Sequence, residues 1–314
     1  MLRHPLSLAL LALAMPHLGC EEEHDHSDHE HETPATTQSV KINFALTSGD
    51  ELFACTKTFS GLGRANSTWT PRDAKLYVHD VKLINKAGAA VPVTIIEDGA
   101  WQHDGIVLLD FEDGTGTCSN GNAAKNATIR GEIAVGEYKG ISFKIGVPFE
   151  HNHQDAAAAS SPLNVTSMFW SWQAGYKFLR IDGATDGLPM GVLLHLGSTG
   201  CMMGDDNVVS SCANPNRPAI TLTDFTQDKA VVLDLKELFA DAHLDADEGG
   251  APGCMSSTDD PDCAPIFRNL GLPFGDPSHT AQRAFRVAAI EGAGGTTGVT
   301  EPGHSVGGHS GGGH

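Results

Sequence analysis

The chain has 314 residues and a formal charge of -19 at neutral pH, from 39 acidic side chains against 20 lysines and arginines. That surplus repels polyanions, whose binders carry basic patches, so nucleic acid is excluded as a principal partner while cations and metal ions suit the balance. Aromatic residues make up only 6% of the chain, so a tight grouping of large rings marks a constrained position.

The first segment, MLRHPLSLALLALAMPHLGC, joins a charged start to a short apolar run, which is the layout of a secretory signal and too short to span a bilayer. Residues 1–19 are expected to be a signal peptide and the protein to be exported. Leu18-Gly19-Cys20 resembles the lipobox of bacterial lipoproteins, although His17 stands where that motif prefers leucine. Lipidation of Cys20 would put the protein in the bacterial periplasm or at the outer membrane; ordinary cleavage nearby is the alternative. Residues 20–39, CEEEHDHSDHEHETPATTQS, interleave His24, His26, His29 and His31 with acids and lack the apolar content to order themselves. They read as a flexible tether and a loose, low-selectivity site for divalent metal. Three Asn-x-Thr/Ser sequons, at Asn66, Asn126 and Asn164, read as chance beside a bacterial signal.

From residue 40 to 291 the period is mostly two. VKINFAL, KLYVHDVKLI, VPVTIIE, GIVLLDFE, ATIRGEI, YKGISFKIGV, YKFLRID, GVLLHLGS, PAITLTDF, KAVVLDL and RAFRVAAI are eleven short β-branched or aromatic runs bounded by turn residues. The spacing predicts a single all-β domain, an antiparallel sandwich with short helical insertions and long disulfide-bonded loops. Two helices are expected: one opening at Ser161-Pro162 and stopping before Gly175, the other over DLKELFADAHL, with Leu235, Leu238 and Phe239 on one face. Between Asp241 and Cys263 the chain is loop-like. Its carboxylates, Asp245 and Asp247 among them, are candidate calcium ligands, but the spacing lacks the complete EF-hand pattern. Residues 292–314 form a second glycine and histidine-rich segment expected to be disordered.

Apart from Cys20, the cysteines form an even set in an oxidising compartment, so disulfides are the default. Proximity pairs Cys201 with Cys212 and Cys254 with Cys263, leaving Cys55 for Cys118. No Cys-x-x-Cys, His-Glu-x-x-His or P-loop occurs, so the chain is not expected to be an enzyme. His195 sits in an apolar strand, where an imidazole must be hydrogen-bonded or ligate a metal. His153 precedes the Trp170-Ser171-Trp172 segment in a polar loop, the setting of an ordinary solvated side chain. Read as packing alone, the two tryptophans close a core.

The segments VPFEHNHQDAAAASSPLNVTSMFWSWQAGYKFLRIDG, IVLLDFEDGTGTC, LLHLGSTGC and PGCMSSTDDPDC resemble the MbnP-like copper-binding proteins, also called the four-Cys proteins of the metallo-mystery pair system. The likeness runs from about residue 40 to 290. It implies an exported bacterial protein partnered with an MbnH-like dihaem enzyme related to cytochrome c peroxidase and MauG. That partner would oxidise the first tryptophan of Trp-x-Trp, here Trp170, to kynurenine, on which binding of one Cu(I) depends. His153 and His195 are the expected ligands beside it, with His79 in reserve; the additional His151 puts the choice within the triplet in doubt. The implied role is copper acquisition or homeostasis. The alternative is a structural or surface-interaction sandwich lipoprotein whose tether merely buffers metal.

Overall fold

The computed structural model describes residues 36–205, 208–274 and 281–289. Cys20, the tether histidines, His279 and the glycine-rich tail lie outside the described residues.

All eleven expected runs contain strands, and they form two main sheets. The smaller sheet runs in the order Phe285–Ala288, Ala230–Asp234, Thr37–Ser48, Thr128–Ala134 and Thr94–Ile95. The larger is built on the 19-residue strand Ser67–Asn85, flanked on one side by Tyr138–Ile145 and Ala219–Thr223 and on the other by Leu179–Thr185, Val192–Leu196 and Gly253–Cys254. Period-two burial appears where one face meets water, as in Thr128–Ala134, whose Ile129, Gly131 and Ile133 point inward. Ile106–Asp110 is buried throughout. The sheets meet through interlocking rings: Phe44 of the smaller packs edge-on against Phe143 of the larger at 5.5 Å, and Phe143 against Phe285 at 5.6 Å. Trp69 fills one end of the core against Phe53, Phe59 and Phe239.

Most pairing is antiparallel, as expected, with two exceptions: Thr37–Ser48 lies parallel to Ala230–Asp234, and Val192–Leu196 parallel to Gly253–Cys254. The three disulfides, Cys55–Cys118, Cys201–Cys212 and Cys254–Cys263, follow the expected pairing.

The expected helix after Ser161-Pro162 does not form. That peptide is cis, and the segment holds only a 3-10 turn, Thr166–Met168, before Phe169–Ser171 pairs as a strand with Gly175–Tyr176. The carbonyls a helix would use are taken by tyrosine hydroxyls: Tyr77 donates to the Pro162 oxygen at 2.8 Å and Tyr176 to that of Leu163 at 2.6 Å. The second helix shrinks to Leu235–Leu238. Asp234 caps its start, while Asn269 donates to the carbonyls of Leu238 and Ala240, and Asp241 turns away with φ of 64°.

Candidate metal centre

The site grows from the alternation of three neighbouring strands. Leu76 and Ala74 pair with Leu179 and Ile181, which pair with Leu196 and Leu194, so one face of the sheet is apolar and joins the core. The intervening residues, Lys75 and Asp73, Arg180 and Asp182, then His195, share the opposite face. That face is covered by the segments carrying Trp101, Asn122 and Val165, so its charges are buried and must satisfy one another.

They do so in a chain. The Lys75 ammonium lies 2.6 Å from Glu112, 2.7 Å from Asp73 and 3.5 Å from Asp110. Arg180 bridges Asp73 at 2.9 Å and Asp182 at 2.7 Å, and Asp182 meets His195 Nε2 at 2.8 Å. Burial pushes the Asp182 carboxyl up, but His195 and Arg180 outweigh it and hold it below the usual range. At the other end, burial drives Asp110 up to about 7, reinforced by Glu112 and Asp73 and opposed by Lys75.

An ionised Asp182 has no proton to give, so His195 donates from Nε2, and in the neutral imidazole the lone pair lies on Nδ1. Nδ1 is buried and has no hydrogen-bond partner. An imidazole with one nitrogen on a carboxylate and the other free is the arrangement metal-ligating histidines use. The Trp170 ring lies beside it, centroid to centroid 6.2 Å. Gly197 makes room for that ring: a Cβ there would come within 2.4 Å of Trp170 Cζ3. Trp170, Cys201, Gln173 and Met255 line a pocket of about 570 Å³.

Met255 had no place in the sequence reading. It lies on a strap stapled to the His195 strand by the Gly253–Cys254 pairing, and the next residue, Ser256, donates from Oγ to the His195 carbonyl while accepting from the Gly197 amide, both at 2.9 Å. The strap thus carries a thioether to the edge of the Trp170 pocket. Cu(I) favours soft sulfur and accepts imidazole, so the donors gathered around Trp170 fit it. The one signal in the sequence was the methionine following a disulfide cysteine in PGCMSS.

The other expected ligands, His153 and His79, are each anchored through Nδ1 on a backbone carbonyl. His153 follows the short helix Phe149–Asn152; its Nδ1 donates to the Trp172 carbonyl at 3.0 Å, leaving the Nε2 lone pair 3.5 Å from Cys212 Sγ. Burial lowers its pKa, with Arg217 adding to the effect and the Trp172 carbonyl opposing it. Trp172 itself is 47% exposed and does not pack in a core. His79 is buried, donates from Nδ1 to the Gly146 carbonyl at 2.8 Å, and is held by burial at about 4, so it is neutral. His151 faces Asp104 at 3.2 Å. Among the described residues, the His, Cys, Asp and Glu side chains that bring three ligand atoms within 4.8 Å of one another are His153, Cys201 and Cys212, whose sulfurs are bonded together. Asp245 and Asp247 join no such group; Asp245 lies 3.6 Å from His243.

No curated protein matches the chain. Among solved structures it is similar to MbnP from Methylosinus trichosporium, with 32% identity and a TM-score of 0.73 over 82% of this chain and 100% of that one. The MbnP family model matches residues 37–256, a stretch that contains the Trp170 pocket, the charge chain behind His195 and the Met255 strap. The chain therefore belongs to the MbnP family of copper-associated proteins.

Proposed function

We propose that this protein is an exported, non-enzymatic Cu(I)-binding protein whose site matures when an MbnH-like dihaem enzyme oxidises Trp170 to kynurenine. The observation that carries the reading is the unpartnered Nδ1 of buried His195 beside the Trp170 ring. A buried acceptor left unsatisfied costs about 1–3 kcal/mol, and a metal ion removes that cost. An indole offers an N–H donor and no lone pair, so Trp170 as encoded is not a ligand. Kynurenine opens the five-membered ring into an aryl amine and a ketone, which turns a wall of the pocket into a donor.

His195 Nδ1 and the Met255 thioether are the protein groups that would hold copper beside residue 170. His153 reaches the pocket through the Cys201–Cys212 disulfide, whose Cys201 lines it. The fit extends to partner access, because the pocket is open and Trp172 is exposed next to it. Copper acquisition or homeostasis is the process such a protein serves. Its lipid anchor at Cys20 would tether the domain through the histidine-rich segment.

The test is copper content per chain after expression with and without the dihaem partner, with peptide mass spectra covering residue 170. Tight copper accompanied by gain of one oxygen and loss of one carbon at Trp170, with Trp172 intact, is expected only when the partner is present. Full occupancy of a protein carrying unmodified Trp170 would overturn the reading and favour a structural sandwich with a metal-buffering tether.

A further inference from the structure

We propose that reduction of the Cys201–Cys212 disulfide converts these two cysteines and His153 into a second Cu(I) site, distinct from the donors around Trp170.

The three potential ligand atoms already lie within 4.8 Å of one another. His153 is aimed: its Nδ1 is anchored on the Trp172 carbonyl, so the lone pair on Nε2 faces the Cys212 sulfur at 3.5 Å. Asn152 Nδ2 donates to that lone pair at 3.1 Å and is the one protein contact a metal would displace. Asn152 is itself fixed, since its Oδ1 accepts from the Tyr176 amide at 3.0 Å.

Cleaving the bond does not scatter the sulfurs. Cys201 and Cys212 sit directly opposite each other on the antiparallel hairpin Thr199–Met203 and Val209–Asn214, whose ladder is independent of the disulfide. Opposed Cβ atoms on such a ladder stay about 4.5–5.5 Å apart. That suits two thiolates sharing one metal with bonds near 2.3 Å, as in other thiolate sites. The sulfurs need rotation about their Cα–Cβ bonds, and His153 Nε2 exchanges its Asn152 contact for the metal.

The chemistry balances with a dithiol as reductant. Its thiolate attacks one sulfur of the disulfide, and its second thiol resolves the mixed disulfide; two electrons pass to the protein, the dithiol leaves as a cyclic disulfide, and Cys201 and Cys212 become thiols. Binding Cu(I) releases both thiol protons. Two thiolates, a neutral imidazole and Cu(I) carry one net negative charge, which the nearby Arg217 guanidinium, whose field reaches His153, stabilises. Selectivity for this disulfide follows from burial: Cys55, Cys118, Cys254 and Cys263 are at most 1% exposed, whereas Cys201 and Cys212 are half-buried beside the exposed Met202 and Met203.

The experiment uses the full chain carrying Trp170→Phe, so that the site beside residue 170 is silent and the two readings fail separately. Mild anaerobic treatment with dithiothreitol, then desalting, should yield two more free thiols than the oxidised chain under native conditions. Cu(I) titration against a chromophoric bis-chelator should show one additional tightly held equivalent over the oxidised chain, with thiolate-to-copper absorption in the near ultraviolet. Weak binding by the tether histidines is common to both states and subtracts out. Alkylating the two thiols with iodoacetamide should abolish the extra equivalent, and His153→Ala should weaken it at least tenfold. No extra equivalent in the reduced chain, or unchanged affinity in His153→Ala, overturns the proposal.

Discussion

Asp182 Oδ1 accepts a hydrogen bond from His195 Nε2 at 2.8 Å, and this contact leaves Nδ1 as the unpartnered nitrogen of the imidazole beside Trp170. Asp182 is held by Arg180, which is held by Asp73, so the imidazole is oriented from the sheet interior. Asp182→Asn should weaken Cu(I) binding by the partner-matured protein about 10–100-fold, the usual cost of losing the group that orients a ligating histidine. Competitive Cu(I) titration checks this. Because the folded Asp182 carboxyl is depressed, its contribution to stability is present above about pH 4 and is lost as pH falls through its folded value. Asp182→Asn should therefore show a smaller loss of stability between pH 5 and pH 2, measured by urea unfolding followed by circular dichroism.

Asp110 carries the opposite sign. It is pushed up to about 7, so between roughly pH 4 and pH 7 the folded chain retains a proton that an unfolded carboxyl has lost. Stability must then fall as pH rises across that window and level off above it. Asp110→Asn should flatten this slope by roughly 1 kcal/mol or more, since each pKa unit is worth about 1.4 kcal/mol. Urea unfolding at pH 5 and pH 8 measures it; equal slopes in both proteins would show that Lys75 keeps Asp110 ionised throughout.

The strands were legible in the sequence because their β-branched runs match half-buried or buried ribbons, and the disulfides because two pairs were close in the chain. The charge row was present in the spacing of Asp73 and Lys75 and of Arg180 and Asp182, each pair two residues apart. What sequence could not supply was which strands become neighbours, and hence that these two pairs meet His195 on one face. Met255 was missed for the same reason: it reaches Trp170 only through a parallel pairing with a strand some sixty residues earlier, as the pairing of Leu194 with Cys254 shows. The helix after Ser161 was misjudged because Tyr77 from a distant strand and Tyr176 from just beyond the segment claim its carbonyls.

Gly197 is occupied from above by the Trp170 ring, and a methyl group there would sit 2.4 Å from Cζ3. Gly197→Ala should destabilise the domain by about 1–3 kcal/mol, the range for overpacking, and displace residue 170. Tight copper should be lost in the partner-matured protein while the remaining structure is retained. Urea unfolding and copper analysis on the same sample separate the two effects.

The disulfides should differ in their contribution. In the chain-entropy model, Cys55–Cys118, separated by 63 residues, is worth about 4 kcal/mol, and Cys201–Cys212, separated by 11, about 3 kcal/mol. Replacing each pair by alanine should lower the urea midpoint more for Cys55–Cys118, whose buried sulfurs also leave a cavity. A larger loss from the Cys201–Cys212 pair would contradict the view that the hairpin ladder holds itself together.

The ligand assignment is decided by three substitutions in protein matured with the dihaem enzyme. His195→Ala removes the unpartnered Nδ1 and should abolish tight copper without preventing oxidation of Trp170, because the oxidisable ring and its exposed neighbour remain. Met255→Leu keeps most of the side-chain volume but replaces a soft thioether by hydrocarbon, so the fold should persist while Cu(I) affinity falls at least tenfold. His153→Ala, in protein with its disulfides intact, should leave tight copper largely unchanged, since His153 Nε2 faces Cys212 and accepts from Asn152. Copper stoichiometry, Cu(I) competition and mass spectra of the peptide containing residue 170 distinguish the three. If His153→Ala abolishes copper while Met255→Leu does not, His153 rather than Met255 is the ligand beside His195 and the thioether is excluded from the site.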